Sequence, residues 1–155
     1  VLAPPFDVIT EEIRCELVAR SPRNIVLLDK GPAGHDATWY DEAAVRKDQW
    51  LAEGVLQRDN QPAFYGYRQR FEVAGSTHVR TGFVAAVRLS PWGAGIFPHE
   101  KTRTGDRTDR LNLTRAMRAN LSPVFGLYRD SDGLIDAHLR PPSSLLLEDV
   151  SLDGV

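Results

Sequence analysis

One polar stretch, from Pro98 to Tyr128, carries most of the side chains of this chain that are able to do chemistry. His99 and Glu100 form a titratable pair and are the candidate catalytic residues, since histidine moves protons near neutral pH and a carboxylate can activate a hydroxyl. Hydroxyls and permanent positive charges follow this pair, and both suit an anion such as phosphate. The candidate phosphate- or ligand-binding residues are Thr102, Thr104, Arg107, Arg110 and Arg118.

The same residue types also allow a purely structural interpretation, which stays open. Glu100 can simply pair with Arg103, and His99 can cap the loop. On a helix, three of the arginines would share one side, opposite an apolar side. That basic side is either an anion site near a helix start or a solvated face that neighbouring aspartates partly neutralise.

Apolar periodicity and turn residues predict the elements that must position this stretch. Thr10 is expected to cap a first helix. A short strand is predicted over 24–28, and a helix over 41–53 that stops at Gly54. The clearest element is a hairpin of strands 63–73 and 77–89 around a turn at 74–76. Further predicted elements are a loop over 90–105, a helix over 106–121, a strand over 123–128, a short helix over 134–139 and a strand over 145–152.

Alternating helices and strands combined with a hairpin favour an α+β fold, with a mixed, largely antiparallel sheet and flanking helices. A chain of 155 residues that is 42% hydrophobic can bury one ordinary core, so we expect a single domain over 1–155. The chain starts at Val1 without methionine and stops within what reads as a continuing β segment. We therefore expect it to be the N-terminal portion of a longer protein.

Composition narrows the classes of partner. The net charge of -2 disfavours nucleic acid, because binding to phosphate backbones needs clustered excess Lys and Arg. The single cysteine excludes an internal disulfide and a cysteine-based zinc site. Without an apolar run of roughly 20 residues or a signal peptide, we expect no membrane and a cytoplasmic location. The glycine loops lack nucleotide signatures, and the other histidines lack metal-ligand spacing, so we interpret His35, His78 and His138 as structural.

A series of short motifs runs along nearly the whole chain: Pro4-Pro5 with Asp7-Val8-Ile9, Asn24-Ile25, Trp50-Leu51 with Gly54-Val55-Leu56, His99-Glu100 with Thr102, Asp109-Arg110-Leu111, Ala119-Asn120, Ser122-Pro123 and Leu127-Tyr128. In this series the chain resembles the domain-of-unknown-function 1015 family, which is related to SerK-type free serine kinases and ParB-like proteins. Two departures keep the ring or the charge: Phe6 stands where the family often has tyrosine, and Arg107 where it usually has lysine.

The resemblance implies a SerK-like protein that handles a nucleotide or a phosphorylated small molecule. Its cofactor would be ATP or ADP with Mg²⁺, and its substrate a phosphorylated or hydroxy compound such as serine. Family members carry an Asp-Gly-His-His-Arg motif beyond this region, and this sequence does not contain it. The resemblance thus makes the remaining C-terminal part of the parent protein a partner in completing the site.

Three functions follow from these observations and stay open. The first is a nucleotide-dependent small-molecule kinase, in which the chain supplies part of the site. The second is a nucleotide, anion or nucleic-acid sensor that binds without turnover. The third is an interaction domain, whose loop and basic helix dock another domain of the parent protein.

Overall fold

A computed structural model describes residues 2–99 and 104–139. They form two compact units, each considered by itself: the first comprises Val1–Arg58 and Ser90–Pro123, the second Asp59–Leu89 and Val124–Val155. Helices and an antiparallel strand pair confirm the predicted α+β class, while the single domain over 1–155 stays a prediction. The elements are α1 (Glu11–Arg20), α2 (Val26–Asp29), α3 (Thr38–Ala52), β1 (Tyr65–Val73), β2 (Ser76–Val84), α4 (Thr104–Met117) and α5 (Leu134–His138).

The first helix begins as its sequence predicts. Thr10 Oγ1 accepts a hydrogen bond from the backbone N–H of Ile13 at 3.3 Å, which satisfies one of the free amides of the first turn. Glu11 and Glu12 in that turn complement the positive end of the helix, and Arg20 complements the other end. The helix presents buried Leu17 to a small cluster that also contains Ile9 and Val26.

The predicted strand over 24–28 is wrong, because this segment contains the short helix α2. The side chain of Asn24 accounts for the difference. Its Oδ1 accepts from the N–H of Val26 at 3.0 Å, which closes a turn that an extended strand does not allow. Its Nδ2 donates to the carbonyl of Leu2 at 3.1 Å. The apolar run signalled burial rather than extension, since Val26 and Leu28 are both fully buried.

The main core lies between α2, α3 and α4. Full burial of one Leu or Met side chain contributes about 1.5–3 kcal/mol, so this cluster dominates the stability of the first unit. Lys47 of α3 donates to the carbonyl of Met117 at 2.6 Å and so satisfies the end of α4. The apolar side predicted for that helix is confirmed. The buried cluster consists of Leu28, Trp39, Ala43, Trp50, Leu113 and Met117.

The second unit contains the predicted hairpin, which is confirmed. β1 and β2 pair antiparallel with Tyr65 opposite Val84 and Val73 opposite Ser76. Ala74 and Gly75 form the turn with φ of 49° and 77°, and two positive φ values give the turn twist that matches paired strands. α5 confirms the short helix predicted over 134–139.

The strand predicted over 123–128 is wrong, since the described residues of this segment form no ladder with the hairpin. Side-chain contacts stand in place of the ladder. Arg80 lies over the ring of Phe125 at 5.0 Å, and Phe83 meets Tyr128 at 5.7 Å between ring centroids. The strand predicted over 145–152 lies outside the described residues. Among the helices of the described ranges, none is long and apolar enough to cross a membrane.

Candidate functional site

A cavity of about 370 Å³ lies in the first unit, where the segment after α2 meets the starts of α1 and α4. Its lining mixes both signs of charge with one aromatic ring. Such a concave site with convergent polar groups is the usual form of a small-molecule pocket. The side chains that give it this character are those of Phe6, Glu11, Lys30, His35, Asp106 and Asp109.

The loop from Gly31 to His35 forms one wall, and three contacts hold it. Arg14 Nε donates to the carbonyl of Lys30 at 3.0 Å, and Glu11 Oε2 accepts from the N–H of Ala33 at 2.9 Å. Both tie the loop to α1. At the other end, Asp36 Oδ1 accepts from the N–H of Thr38 at 2.8 Å and so fixes the start of α3. The pocket wall is therefore anchored on both sides.

His35 is held against this wall by its neighbours. Its ring packs on Trp39 at 4.8 Å and meets Tyr40 edge-on at 5.3 Å between centroids. A Cβ built on Gly31 would lie only 2.3 Å from His35 Cδ2. Glycine at this position thus creates the space in which the imidazole lies.

Asp109 supplies the opposite wall from α4. Tyr40 donates its hydroxyl hydrogen to Asp109 Oδ1 at 2.9 Å, and His35 Nε2 lies 3.6 Å from the same oxygen. Arg110 binds the other oxygen, Oδ2, through Nε at 3.0 Å and Nη2 at 2.6 Å. The carboxylate is thus oriented by two elements, α3 and α4.

The pKa values of this pair follow from these contacts. Burial alone raises the pKa of Asp109, but the hydrogen bonds from Arg110 and Tyr40 and the positive charge of Arg110 outweigh it. The net effect holds the pKa of Asp109 below its ordinary value. Burial, the hydrogen bond to Asp109 and its negative charge together raise the pKa of Tyr40. Asp109 is therefore an anion and Tyr40 a neutral donor at neutral pH.

Arg110 also reaches α2. Nη1 donates to Asp29 Oδ1 at 2.8 Å and Nη2 to the Asp29 carbonyl at 2.7 Å. Asp29 is only 6% exposed, and its Oδ2 accepts from the hydroxyl of Ser122 at 3.0 Å. The guanidinium carbon lies 4.1 Å from the centroid of Phe6. These contacts give Arg110 an evident role in fixing Asp109 and Phe6 at the pocket.

The described structure places three of the predicted site residues, Thr104, Arg107 and Arg110, on successive turns of α4. His99 lies in an exposed loop, and Glu100 and Thr102 lie outside the described residues. Thr104 is the first residue of α4, and Arg107 is exposed near that end of the helix. Arg118 follows the helix with a left-handed φ of 48°, so the helix side expected for three arginines ends before it. Their roles in binding and catalysis stay predictions.

Sequence reasoning missed His35, Lys30 and Asp109 as pocket residues. The glycine loop over 31–34 and His35 match no nucleotide or metal motif, so the sequence alone predicts no site there. The available signal was local: a glycine-rich turn followed by a histidine and an aspartate at the start of a helix. Only the fold places this segment opposite α4. The hydrogen bond between Tyr40 and Asp109, which lie 69 positions apart in the sequence, joins the two regions.

Within residues 2–99 and 104–139, no group of three His, Cys, Asp or Glu side chains is placed to hold a metal ion. Mg²⁺ usually binds through one or two carboxylates together with substrate phosphates and water. Asp106, which lines the cavity, fits that weaker requirement.

The geometry can be set beside known proteins. Residues 1–148 match the model of the family described as Protein of unknown function (DUF1015). No curated protein and no solved structure matches the chain. Because the family match extends over most of the 155 residues, this chain belongs to the DUF1015 family.

Proposed function

We propose that the chain takes part in phosphoryl transfer from a nucleotide to a small hydroxy compound, as an ATP- or ADP-dependent kinase of serine or a similar molecule. The observation that carries the proposal is the mixed charge of one cavity. Lys30 and His35 lie on one wall, and Asp106 and Asp109 lie on the other. Phosphoryl transfer depends mainly on positioning and on cations near the phosphate, and it also needs an acceptor for the hydroxyl proton.

Residues that line the pocket, together with Arg107 on α4, supply the contacts to phosphate and Mg²⁺ in this proposal. Lys30 would bind phosphate oxygens, and Arg107 near the start of α4 would add positive charge where helix amides also favour anions. Asp106 would bind Mg²⁺ together with the phosphates. When bound, Mg²⁺ would neutralise the charge that develops on the transferred group. The resemblance to SerK-like proteins supports the nucleotide as phosphoryl donor, and the chemistry predicted for His99 and Glu100 remains part of the proposal.

Arg110 is better suited to positioning than to direct phosphate binding. Its nitrogen atoms already donate to Asp29 and Asp109, and breaking these bonds would leave a buried carboxylate unpaired. Replacing Arg110 would therefore weaken the fold as well as any ligand binding. Exposed cations near the pocket make cleaner probes.

The test is a thermal-shift titration of the chain with Mg-ATP and Mg-ADP. A ligand at about 100 times its Kd stabilises a protein by about 2.7 kcal/mol. We expect Lys30→Gln and Arg107→Gln to reduce the stabilisation. Arg115→Gln is the matched control, because Arg115 is exposed on the same helix but in its last turn. Equal responses from all three variants, or no response from the unmodified chain, would contradict the proposal.

A second candidate function, binding or interaction without turnover, has its own observation in the second unit. Several large apolar side chains there are mainly exposed, and Leu89 is 90% and Phe64 78% exposed. Exposed apolar groups of this size are common on surfaces that meet another protein. Concentration-dependent dimerisation, or binding of an apolar dye without any nucleotide response, would favour this function over the kinase.

A further inference from the structure

His35 has one ring nitrogen whose partner is a carbonyl. Nδ1 lies 3.1 Å from the carbonyl oxygen of Asp36, and a carbonyl oxygen only accepts hydrogen bonds. This contact favours the tautomer with the hydrogen on Nδ1. In the neutral imidazole the other nitrogen, Nε2, is then a bare acceptor.

That bare nitrogen faces a second acceptor across the pocket. Nε2 lies 3.6 Å from Asp109 Oδ1, which is longer than a hydrogen bond between the two would be. Oδ1 already accepts from Tyr40 at 2.9 Å and has a remaining lone pair. Two acceptors that face one another across a cavity leave a place for a donor from the ligand.

We propose that His35 Nε2 and Asp109 Oδ1 form a paired acceptor for the hydroxyl group of the substrate, and that Nε2 takes the hydroxyl proton. The proposal rests on the kinase function proposed above, and it assigns removal of the hydroxyl proton to His35 rather than to His99 or Glu100. The surroundings suit an imidazolium after the transfer. Asp109, Glu11 and Asp106 line the same cavity, with Lys30 as the opposing cation.

In the proposed transfer, the substrate hydroxyl attacks the terminal phosphorus of the nucleotide. The hydroxyl O–H bond breaks and its proton moves to Nε2, while the oxygen forms a bond to the terminal phosphorus of a nucleoside di- or triphosphate. The P–O bond to the leaving phosphate breaks, and the nucleotide departs with that electron pair. His35 then returns its proton to water. Asp109 stays ionised throughout and stabilises the charged ring.

Contacts around the ring give His35 the fixed position that a proton acceptor needs. Gly31 leaves space for it, and Trp39 and Tyr40 pack against two of its sides. Its side chain is 20% exposed, so a ligand in the cavity can reach it.

The first measurement is the tautomer of His35 in the free chain, read from ring ¹⁵N chemical shifts at about pH 8, where an ordinary imidazole is neutral. The chain has four histidines, and single replacements assign their signals. We expect hydrogen on Nδ1. Hydrogen on Nε2 would overturn the proposal, because that nitrogen could then accept nothing.

The second measurement is a titration of the same signals with L-serine and with L-alanine, which lacks only the hydroxyl. We expect serine to shift the Nε2 signal of His35 and alanine to leave it in place. Equal effects of the two amino acids, or no effect of either, would overturn the proposal. Both measurements use the unmodified chain and need no nucleotide, so their outcome is separate from that of the Mg-ATP and Mg-ADP titration.

A matched pair of variants then tests the nitrogen itself. His35→Asn keeps a donor near the Nδ1 position and removes Nε2, and we expect it to weaken serine binding about tenfold, the effect of one hydrogen bond. His78→Asn is the control, because His78 lies on β2 in the other unit. A His35→Asn chain that binds serine as tightly as the control would overturn the assignment.

Discussion

The two units of the chain reach their structures by different means. In the first unit, three helices bury apolar side chains and connect charged groups through Asp29, Arg110 and Asp109. In the second, no described residue is buried, and Tyr65 and Tyr67 are each 50% exposed. The hairpin is specified instead by its turn and its register. Burial of apolar side chains thus stabilises the first unit, whereas local backbone preference sets the geometry of the second.

Because of this difference, we expect the first unit to be the more stable and the second unit to be the more adaptable. A two-stranded hairpin is at best marginally stable alone in water, whereas a helical cluster with a buried ion pair resists local opening. The pocket belongs to the first unit, so its groups are held rigidly. The effects of substitutions in the two units should therefore differ in size, and they should change different properties.

The largest effect is expected from Leu28→Ala in the core of the first unit. Leu28 is fully buried, with 0% of its surface accessible to solvent. The change to alanine leaves a cavity between α2 and α3. We expect a loss of about 4 kcal/mol of unfolding free energy, measured by urea denaturation. Val79→Ala in β2, where Val79 is 54% exposed, is the matched control and should cost less than about 1 kcal/mol. Equal losses would contradict the contrast between the units.

The next effect is expected from Arg110→Ala. Among the described residues, removing the guanidinium leaves Ser122 as the remaining side-chain partner of buried Asp29, at a cost of about 3 kcal/mol. Arg107→Ala is the control on the same helix, since Arg107 is exposed, and it should cost less than about 0.5 kcal/mol. Urea denaturation of both variants makes the comparison. A stable Arg110→Ala chain would mean that the ion pair does not support the first unit.

A smaller effect is expected from Gly31→Ala. The added methyl would meet the ring of His35, which must then leave its place beside Asp109. We expect a loss of about 2 kcal/mol from overpacking, together with a change in the ring ¹⁵N shifts of His35. Gly34→Ala meets no neighbouring atom and serves as control for the methyl, although its φ of 71° adds backbone strain. Unchanged His35 signals in Gly31→Ala would disprove the close contact.

In the second unit, Ala74→Asn should strengthen the hairpin by about 0.5 kcal/mol. Asparagine tolerates the positive φ of this position better than alanine does. Hydrogen exchange of the β1 and β2 amides measures the effect locally, and we expect slower exchange there with the helices unchanged. Gly75→Ala should act in the opposite direction. Faster exchange in Ala74→Asn would show that the turn does not limit the hairpin.

The smallest effect is expected in the pH dependence of the first unit, because Asp109 is partly exposed and solvent screens its ion pair. Its pKa is lowered in the folded chain, so its contribution is complete above the pKa of the unfolded chain, about 3.9. The contribution is lost as the pH falls through the lower folded value. Unfolding measured between about pH 2 and 6 should show a shallower acid loss in Asp109→Asn than in the unmodified chain. Parallel curves of unfolding free energy against pH would contradict the expected contribution of Asp109.

Local signals predicted the local features of this fold. The cap at Thr10, the stop at Gly54 and the turn at Ala74-Gly75 each depend on neighbours in the sequence, and all three are confirmed. The strand expected at 24–28 failed, because an apolar run of five residues fits a buried helix as well as a strand. There the hydrogen bond that the Asn24 side chain accepts stabilises a turn of the backbone instead of a strand.

The pocket could not be predicted in the same way. Its central contact joins Tyr40 to Asp109 across 69 positions, and the ion pair joins Asp29 to Arg110 across 81. No periodicity or spacing encodes such pairs, which follow from the packing of α3 against α4. The sequence predicts one basic side of the helix for Arg107, Arg110 and Arg118. Burial of Asp29 instead gave Arg110 an internal partner and left Arg107 to the solvent.

The close approach of Gly31 to His35 has an evolutionary consequence. A side chain at position 31 and an imidazole at position 35 cannot occupy the same space, so the two positions are expected to vary together among related chains. A lineage that gains a larger residue at 31 must lose or redirect the ring at 35. Lineages that keep the histidine should keep the glycine, whatever becomes of the surface around them.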